Sequence, residues 1–127
     1  MKKIIPDTNI FLRFILNDIP SEAKKAEIVF SKSKTGEIDI IIPQIVILEI
    51  HFTLEKYYQF SKKDIIDKLK AILSADYFKI DERAVFLKAL DLWITKNISL
   101  PDAFLISYCE ENNGEIFSFD KKLNKLL

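Results

Sequence analysis

The sequence predicts an α/β fold, specifically a three-layer α/β/α sandwich with a short, mainly parallel central sheet. Short apolar stretches such as 3–6 and 37–42 alternate with longer stretches in which apolar residues recur at helical spacing. Buried parallel strands have continuous apolar sequences because helices cover both faces of the sheet. The chain has only two glycines, Gly36 and Gly114, and no repeat or low-complexity linker. We therefore expect a single domain over residues 1–127.

The first third of the chain contains two predicted strands and two predicted helices. "KIIP" (3–6) predicts a strand, and "TNIFLRFIL" (8–16) predicts a helix because its apolar residues lie on one helical face. A second helix is predicted over 18–32, where Pro20 is typical of a helix start. The apolar "EIDIII" (37–42) predicts the second strand.

The middle of the chain predicts two further helices. Residues 44–58 are rich enough in β-branched side chains for a strand, but fifteen residues without a turn signal favour a helix. Residues 61–73 have an apolar stripe with a period of about 3.6 residues, and Ser61 and Asp64 resemble a capping box at its start.

The last third predicts strands at 77–80 and 115–119 and helices at 81–96, 99–111 and 120–127. The strand predictions rest on short runs of apolar and aromatic residues, and the helix predictions on helical apolar spacing. Asparagine and glycine in "NNG", which follows residue 111, tolerate the left-handed backbone that ends many helices.

Composition restricts the possible classes of protein. The chain carries 19 basic and 19 acidic residues, and only Arg13 and Arg83 are arginines, so base-specific recognition through arginine is not indicated. No stretch has the apolar length of a membrane span, and the N-terminus lacks the features of a secretion signal. Cys109 is the only cysteine, which excludes an internal disulfide. We expect a cytoplasmic protein.

Four acidic residues have surroundings unlike those of the other acids, most of which lie beside lysines. Asp7 and Asp120 each follow a predicted strand directly, and the carboxyl ends of parallel strands are where open α/β sheets place their ligands. Asp102 lies in the first turn of a predicted helix, and Glu49 interrupts the apolar "IVILEIHF". All four can reach the same edge of the sheet.

Each of the three aspartates also has a purely structural alternative. Asp7 and Asp120 are candidates for the N-caps of the helices that follow them. Asp102 is placed to interact favourably with a helix dipole. Glu49 has no such role, because a carboxylate within an apolar helix needs a partner. His51, the only histidine, is expected to be a satisfied structural residue rather than a catalytic one.

Four converging carboxylates would repel one another unless a cation lay among them. Mg²⁺ or Mn²⁺ prefers such oxygen ligands and leaves coordination positions for water and phosphate. Zinc is disfavoured because His51 and Cys109 are far apart in the sequence. We therefore predict a Mg²⁺ or Mn²⁺ site formed by the quartet Asp7, Glu49, Asp102 and Asp120.

The pattern resembles the PIN-domain nucleases, and in particular the toxin subunits of VapBC toxin–antitoxin pairs. The resemblance is carried by "IPDTNIFLRFILND", the lone glutamate in an apolar helix, "DA" at a helix start, and "GEIFSFDKKL". It implies that the acidic quartet is catalytic and binds metal. It further implies that Asn9 supports the first aspartate and that Ser118 replaces a threonine that is more common in the family.

The resemblance implies a metal-dependent endoribonuclease that acts on RNA, commonly as a homodimer, and is silenced by a cognate antitoxin in a type II system. Arg13, Lys121, Lys122 and Lys125 are candidates for contacts with RNA phosphates, although surface lysines also serve solubility alone. The alternative is a PIN-like module that binds RNA or protein without turnover.

Overall fold

The computed structural model describes all residues, Met1–Leu127, and the chain divides into two compact units, Met1–Asp81 and Glu82–Leu127. The first unit contains a sheet and four helices, and the second contains three helices. The elements in chain order are β1 (Lys3–Ile4), α1 (Thr8–Leu16), α2 (Pro20–Lys34), β2 (Asp39–Ile42), α3 (Gln44–Lys56), α4 (Lys62–Leu73), β3 (Phe78–Ile80), α5 (Arg83–Thr95), α6 (Leu100–Glu111) and α7 (Lys121–Asn124). None of the helices is both long and apolar enough to cross a bilayer.

The sheet of the first unit is short and entirely parallel. Its strand order is β1-β2-β3, and Ile40 of β2 lies in register with both Ile4 and Phe78. Ile40 and Ile42 are fully buried, as continuous apolar strands in a parallel sheet should be. The predicted α/β class with a short parallel sheet is therefore confirmed. A single domain over residues 1–127 stays a prediction.

An aromatic cluster forms much of the core beside this sheet. The ring of Phe30 on α2 lies 5.3 Å from that of Phe11 on α1 and 5.3 Å from that of Phe78 on β3, measured between centroids. Phe14 packs edge-on against Phe30 at 5.1 Å. Aromatic rings at these separations contribute packing energy beyond their burial alone. The cluster thus fixes α1, which carries the first predicted site residues, to the rest of its unit.

Side-chain caps define the starts of several helices. The Ser61 hydroxyl accepts a hydrogen bond from the backbone N–H of Asp64 at 3.2 Å, which confirms the predicted start of α4. In the second unit the Ser99 hydroxyl accepts from the N–H of Asp102 at 3.2 Å and caps α6. Both caps satisfy N–H groups that a helix cannot pair internally.

The second unit is built around α5 and α6. The rings of Phe86 and Phe104 lie 4.7 Å apart, and Lys88 of α5 forms an ion pair with Glu111 of α6 at 2.6 Å. The end of α6 has the geometry predicted for "NNG". Asn113 has a positive φ of 51°, and the N–H of Gly114 donates to the carbonyl of Cys109 at 2.9 Å.

The predicted strand over 115–119 is wrong. This segment is neither helix nor strand, and the sheet contains only β1, β2 and β3. Phe117 and Phe119 are 88% and 90% exposed. Apolar composition predicted the strand, but a strand also requires a hydrogen-bonded neighbour, and composition does not specify one.

Candidate functional site

Asp7 lies just past the carboxyl end of β1 and is the N-cap of α1. Its Oδ1 accepts a hydrogen bond from the N–H of Ile10 at 3.3 Å, so the capping alternative is confirmed. The side chain is exposed, and the hydrogen bond from Ile10 engages only Oδ1. The cap therefore uses one carboxylate oxygen and leaves the other available to a ligand.

Glu49 lies on the exposed face of α3 rather than in the interior. The exposed positions of this helix are Ile45, Glu49, Phe52 and Lys56, which recur at helical spacing. The partner that the sequence required for Glu49 is Thr8, whose Oγ1 donates to Oε2 of Glu49 at 3.1 Å. This hydrogen bond joins the first residue of α1 to the middle of α3.

Asp7 and Glu49 line one cavity of about 300 Å³ in the first unit. The residues that line it come from the start of α1 and from α3, and they are Asp7, Thr8, Asn9, Leu12, Val46, Glu49 and Thr53. The structure thus brings three predicted site residues together. The sequence pattern did not indicate Thr8 or Thr53, which also line the cavity. Thr8 stands between Asp7 and Asn9 in "DTN", so its position beside two predicted site residues was the available signal.

The donors around this cavity suit a hard divalent cation. They are carboxylate, hydroxyl and amide oxygens, which Mg²⁺ and Mn²⁺ prefer, and no histidine or cysteine lines the cavity. Within each unit, no group of three or more histidine, cysteine, aspartate or glutamate side chains is arranged to hold a metal ion. The first unit supplies two of the four predicted carboxylates.

A second cavity of about 380 Å³ lies on the other side of Asp7 and Asn9, against α2. Arg13 lines it, but its Nη1 donates to Asp18 at 3.0 Å and its Nη2 donates to the Tyr58 hydroxyl at 3.0 Å. The hydrogen bond with Tyr58, aided by Asp18, raises the pKa of Arg13. Two donors of Arg13 are therefore used within the protein, and its contact with an RNA phosphate stays a prediction.

Asp120 and Ser118 lie together in the second unit. Asp120 is the N-cap of α7 and accepts from the N–H of Leu123 at 2.9 Å through Oδ1. Its own N–H donates to the Ser118 hydroxyl at 3.0 Å, and the Asn124 amide donates to the Ser118 carbonyl at 2.9 Å. The capping alternative for Asp120 is confirmed, and Ser118 helps to fix the backbone at Asp120. Lys121, Lys122 and Lys125 are exposed next to it.

Asp102 is half-buried in the first turn of α6, where the helix dipole favours a negative charge. Its backbone N–H is bound by Ser99. The predicted quartet is thus divided between the units: Asp7 and Glu49 belong to the first, and Asp102 and Asp120 to the second.

His51 is a buried residue of α3. It is 4% exposed, and its Nε2 lies 3.6 Å from a carboxylate oxygen of Glu55, one turn further along α3. Desolvation by burial lowers the pKa of His51, and the negative charge of Glu55 opposes this effect only in part. The neutral imidazole is therefore the favoured form at neutral pH.

Comparison with known proteins agrees with the resemblance found in the sequence. The family model described as the PIN domain matches residues 4–126. A protein of Aquifex aeolicus (strain VF5) named VapC ribonuclease is 25% identical over 122 residues, which cover 94% of this chain and 89% of that protein. Because the family match covers nearly the whole sequence, the chain belongs to the PIN domain family, and within it resembles the VapC type.

Proposed function

We propose that this chain is a metal-dependent endoribonuclease and the toxin of a type II toxin–antitoxin pair in the cytoplasm. Membership of the PIN family supports the nuclease activity, and the name of the Aquifex aeolicus relative supports RNA as the substrate. The observation that carries the proposal is the cavity at the start of α1, where Asp7 and Glu49 present oxygen donors together.

The proposed metal site uses all four predicted carboxylates with Mg²⁺ or Mn²⁺. Asp7 and Asp102 are assigned as direct ligands, Glu49 as a ligand or a residue that orients the attacking water, and Asp120 as the group that completes the set. When bound, such an ion supplies Lewis acidity and lowers the pKa of a bound water. Repulsion among the carboxylates is the physical reason that a cation is required.

Neighbouring polar residues would hold these carboxylates in position. Thr8 donates to Glu49 at 3.1 Å and so restricts the orientation of its carboxylate. Ser118 binds the backbone of Asp120, and Asn9 lines the cavity beside Asp7. Cleavage in this arrangement is by in-line attack of water on a phosphodiester.

The expected products carry a 5′-phosphate and a 3′-hydroxyl. Cleavage through the 2′-hydroxyl of RNA normally employs paired acid–base groups such as two histidines. His51 is the only histidine of the chain and it is buried. Water held near the carboxylates is therefore the proposed nucleophile.

The partners in this proposal are an RNA substrate, a cognate antitoxin and a second copy of the chain in a homodimer. Lys121 and Lys122 are assigned to RNA phosphates because they are exposed and adjoin Asp120. Arg13 is a weaker candidate for this role because Asp18 and Tyr58 already bind its guanidinium group.

An RNA cleavage assay of Asp7→Asn tests the proposal. Asparagine caps helices about as well as aspartate, so the variant should unfold at the wild-type denaturant concentration. It lacks the negative charge that a metal ligand needs, so cleavage should fall by at least about 100-fold, the scale of losing one strong transition-state contact. Wild-type cleavage should also stop when EDTA removes divalent ions.

The matched control is Asp64→Asn, which changes an exposed carboxylate in the first turn of α4. It should cleave RNA at the wild-type rate. Undiminished cleavage by a pure Asp7→Asn preparation would contradict the proposal. Wild-type binding of Mn²⁺ and RNA with no turnover would instead favour the alternative of a PIN-like module without catalysis.

A further inference from the structure

The segment 115–119 presents two exposed aromatic rings directly before Asp120. Phe117 and Phe119 are 88% and 90% exposed, the most exposed large hydrophobic side chains of the chain. Their rings meet edge-to-face with centroids 5.4 Å apart. Exposure alternates along the segment, since Glu115, Phe117 and Phe119 are exposed while Ile116 and Ser118 are half-buried. The two rings therefore lie on one side of the segment and project into solvent.

Positive charge surrounds this pair on the C-terminal side. Lys121, Lys122 and Lys125 are exposed within six residues of Phe119, and the acidic residues between positions 115 and 125 are Glu115 and Asp120. Exposed aromatic rings next to lysines are the combination with which proteins bind single-stranded nucleic acids. A protein partner with an apolar surface would bury the rings but would give these lysines no counter-charge.

We propose that Phe117 and Phe119 form a base-stacking platform for single-stranded RNA. This inference rests on the proposed function, because it assigns to the substrate of that reaction an unpaired base near Asp120. The platform requires an unstacked base, since the bases of a duplex already stack on one another. It does not distinguish one base from another, because every base has a π-face.

The test measures RNA binding separately from cleavage. Binding of a fluorescein-labelled single-stranded RNA decamer is followed by anisotropy in EDTA, with the Asp7→Asn chain as the parent. Phe117→Leu and Phe119→Leu keep apolar side chains but remove the aromatic faces. Each should weaken binding by at least about fivefold, and the double variant by more than either single variant. The matched control is Tyr57→Leu, which removes a ring that is 78% exposed in the first unit and should bind as the parent does.

A tryptophan substitution provides an independent measurement. Phe119→Trp should keep the parent affinity, and its fluorescence should be quenched when the RNA decamer stacks on it. Trp93 is buried, so its emission should not respond and serves as the internal reference. A duplex of the same sequence should produce no quenching.

Parent affinity in both leucine variants, or unquenched emission of Phe119→Trp at saturating RNA, would overturn the inference. A self-association that the leucine variants lose, together with unchanged RNA binding, would also overturn it and would assign the rings to a second copy of the chain. Failure of the proposed function gives a different result, namely no cleavage by the wild-type chain while the leucine variants still weaken RNA binding.

Discussion

At the scale of single residues, Asp7 and Asp120 each serve as a helix cap and remain candidates for metal ligands. Each uses Oδ1 to bind an N–H of the helix that follows, at 3.3 Å for Asp7 and 2.9 Å for Asp120. The cap fixes the rotamer of the carboxylate, which leaves the second oxygen in a defined position. The capping and catalytic interpretations of these aspartates are therefore compatible.

Thr8→Val tests whether the hydrogen bond to Glu49 positions that carboxylate. Valine has nearly the shape of threonine but cannot donate to Oε2, so Glu49 should lose its fixed orientation. Loss of a residue that orients a metal ligand typically reduces activity or metal affinity by about 10–100-fold. We expect RNA cleavage to fall within that range, measured as kcat/KM.

Thr95→Val is the control for this change. The Thr95 hydroxyl binds only carbonyls of its own helix, at 3.2 Å and 3.4 Å, so its loss should leave cleavage unchanged. Equal kcat/KM values for Thr8→Val and the wild type would show that the contact with Glu49 has no positioning role.

His51 should make the stability of the chain depend on pH. Its folded-state pKa lies below the ordinary value of 6.5 because burial disfavours the imidazolium, while Glu55 opposes this in part. As pH falls, the unfolded chain takes up this proton before the folded chain does. The stabilisation that results from this difference in pKa is therefore fully present above about pH 6.5. It is lost as the pH falls from there towards the folded-state pKa of His51.

Urea unfolding between pH 7.5 and pH 5.5 measures this effect. The free energy of unfolding of the wild type should decrease over that interval, and His51→Gln, which cannot titrate, should show a smaller decrease. Identical pH dependence in the two chains would mean that His51 titrates alike in the folded and unfolded states.

At the scale of the elements, the aromatic cluster is the feature that fixes α1 to α2 and β3. Phe11 is buried and contacts both Phe30 and Phe78. Phe11→Ala should reduce the free energy of unfolding by about 3–5 kcal/mol, because it leaves a cavity between the helices and the sheet. Chemical denaturation provides the measurement.

Phe52→Ala is the matched comparison on α3, since Phe52 is exposed. It should change the free energy of unfolding by no more than about 0.5 kcal/mol. A similar decrease in the free energy of unfolding for Phe11→Ala and Phe52→Ala would contradict the assignment of Phe11 to the core.

Most helices and strands were predictable because their signals are local. The predicted helix 8–16 has the observed bounds of α1, and the Ser61 cap fixes the start of α4 where the sequence placed it. Strand 115–119 failed because pairing depends on a neighbour that is distant in sequence. Its alternating exposure keeps the period of a strand without the hydrogen bonds of one.

At the scale of the whole molecule, the sequence indicated which carboxylates have unusual neighbours along the chain, but it did not determine their surroundings in the fold. The positions of Asp7 and Asp120 after apolar runs are local features and were sufficient to select them. The sequence placed Glu49 in an apolar helix where it needs a partner, and in the structure α3 turns that residue towards solvent and the Thr8 hydroxyl donates to it. Which side of a helix points towards solvent depends on how the helix packs against other elements. The spacing of apolar residues in the sequence determines this only in part.

We propose that Asp7, Glu49, Asp102 and Asp120 bind one divalent cation together. Titration calorimetry with Mn²⁺ measures this most directly, on the wild type and on Asp7→Asn, Glu49→Gln, Asp102→Asn and Asp120→Asn. The wild type should bind Mn²⁺ saturably, and each of the four variants should bind it more weakly. Wild-type affinity in both Asp102→Asn and Asp120→Asn would contradict the proposal, because the two carboxylate pairs would then not share an ion.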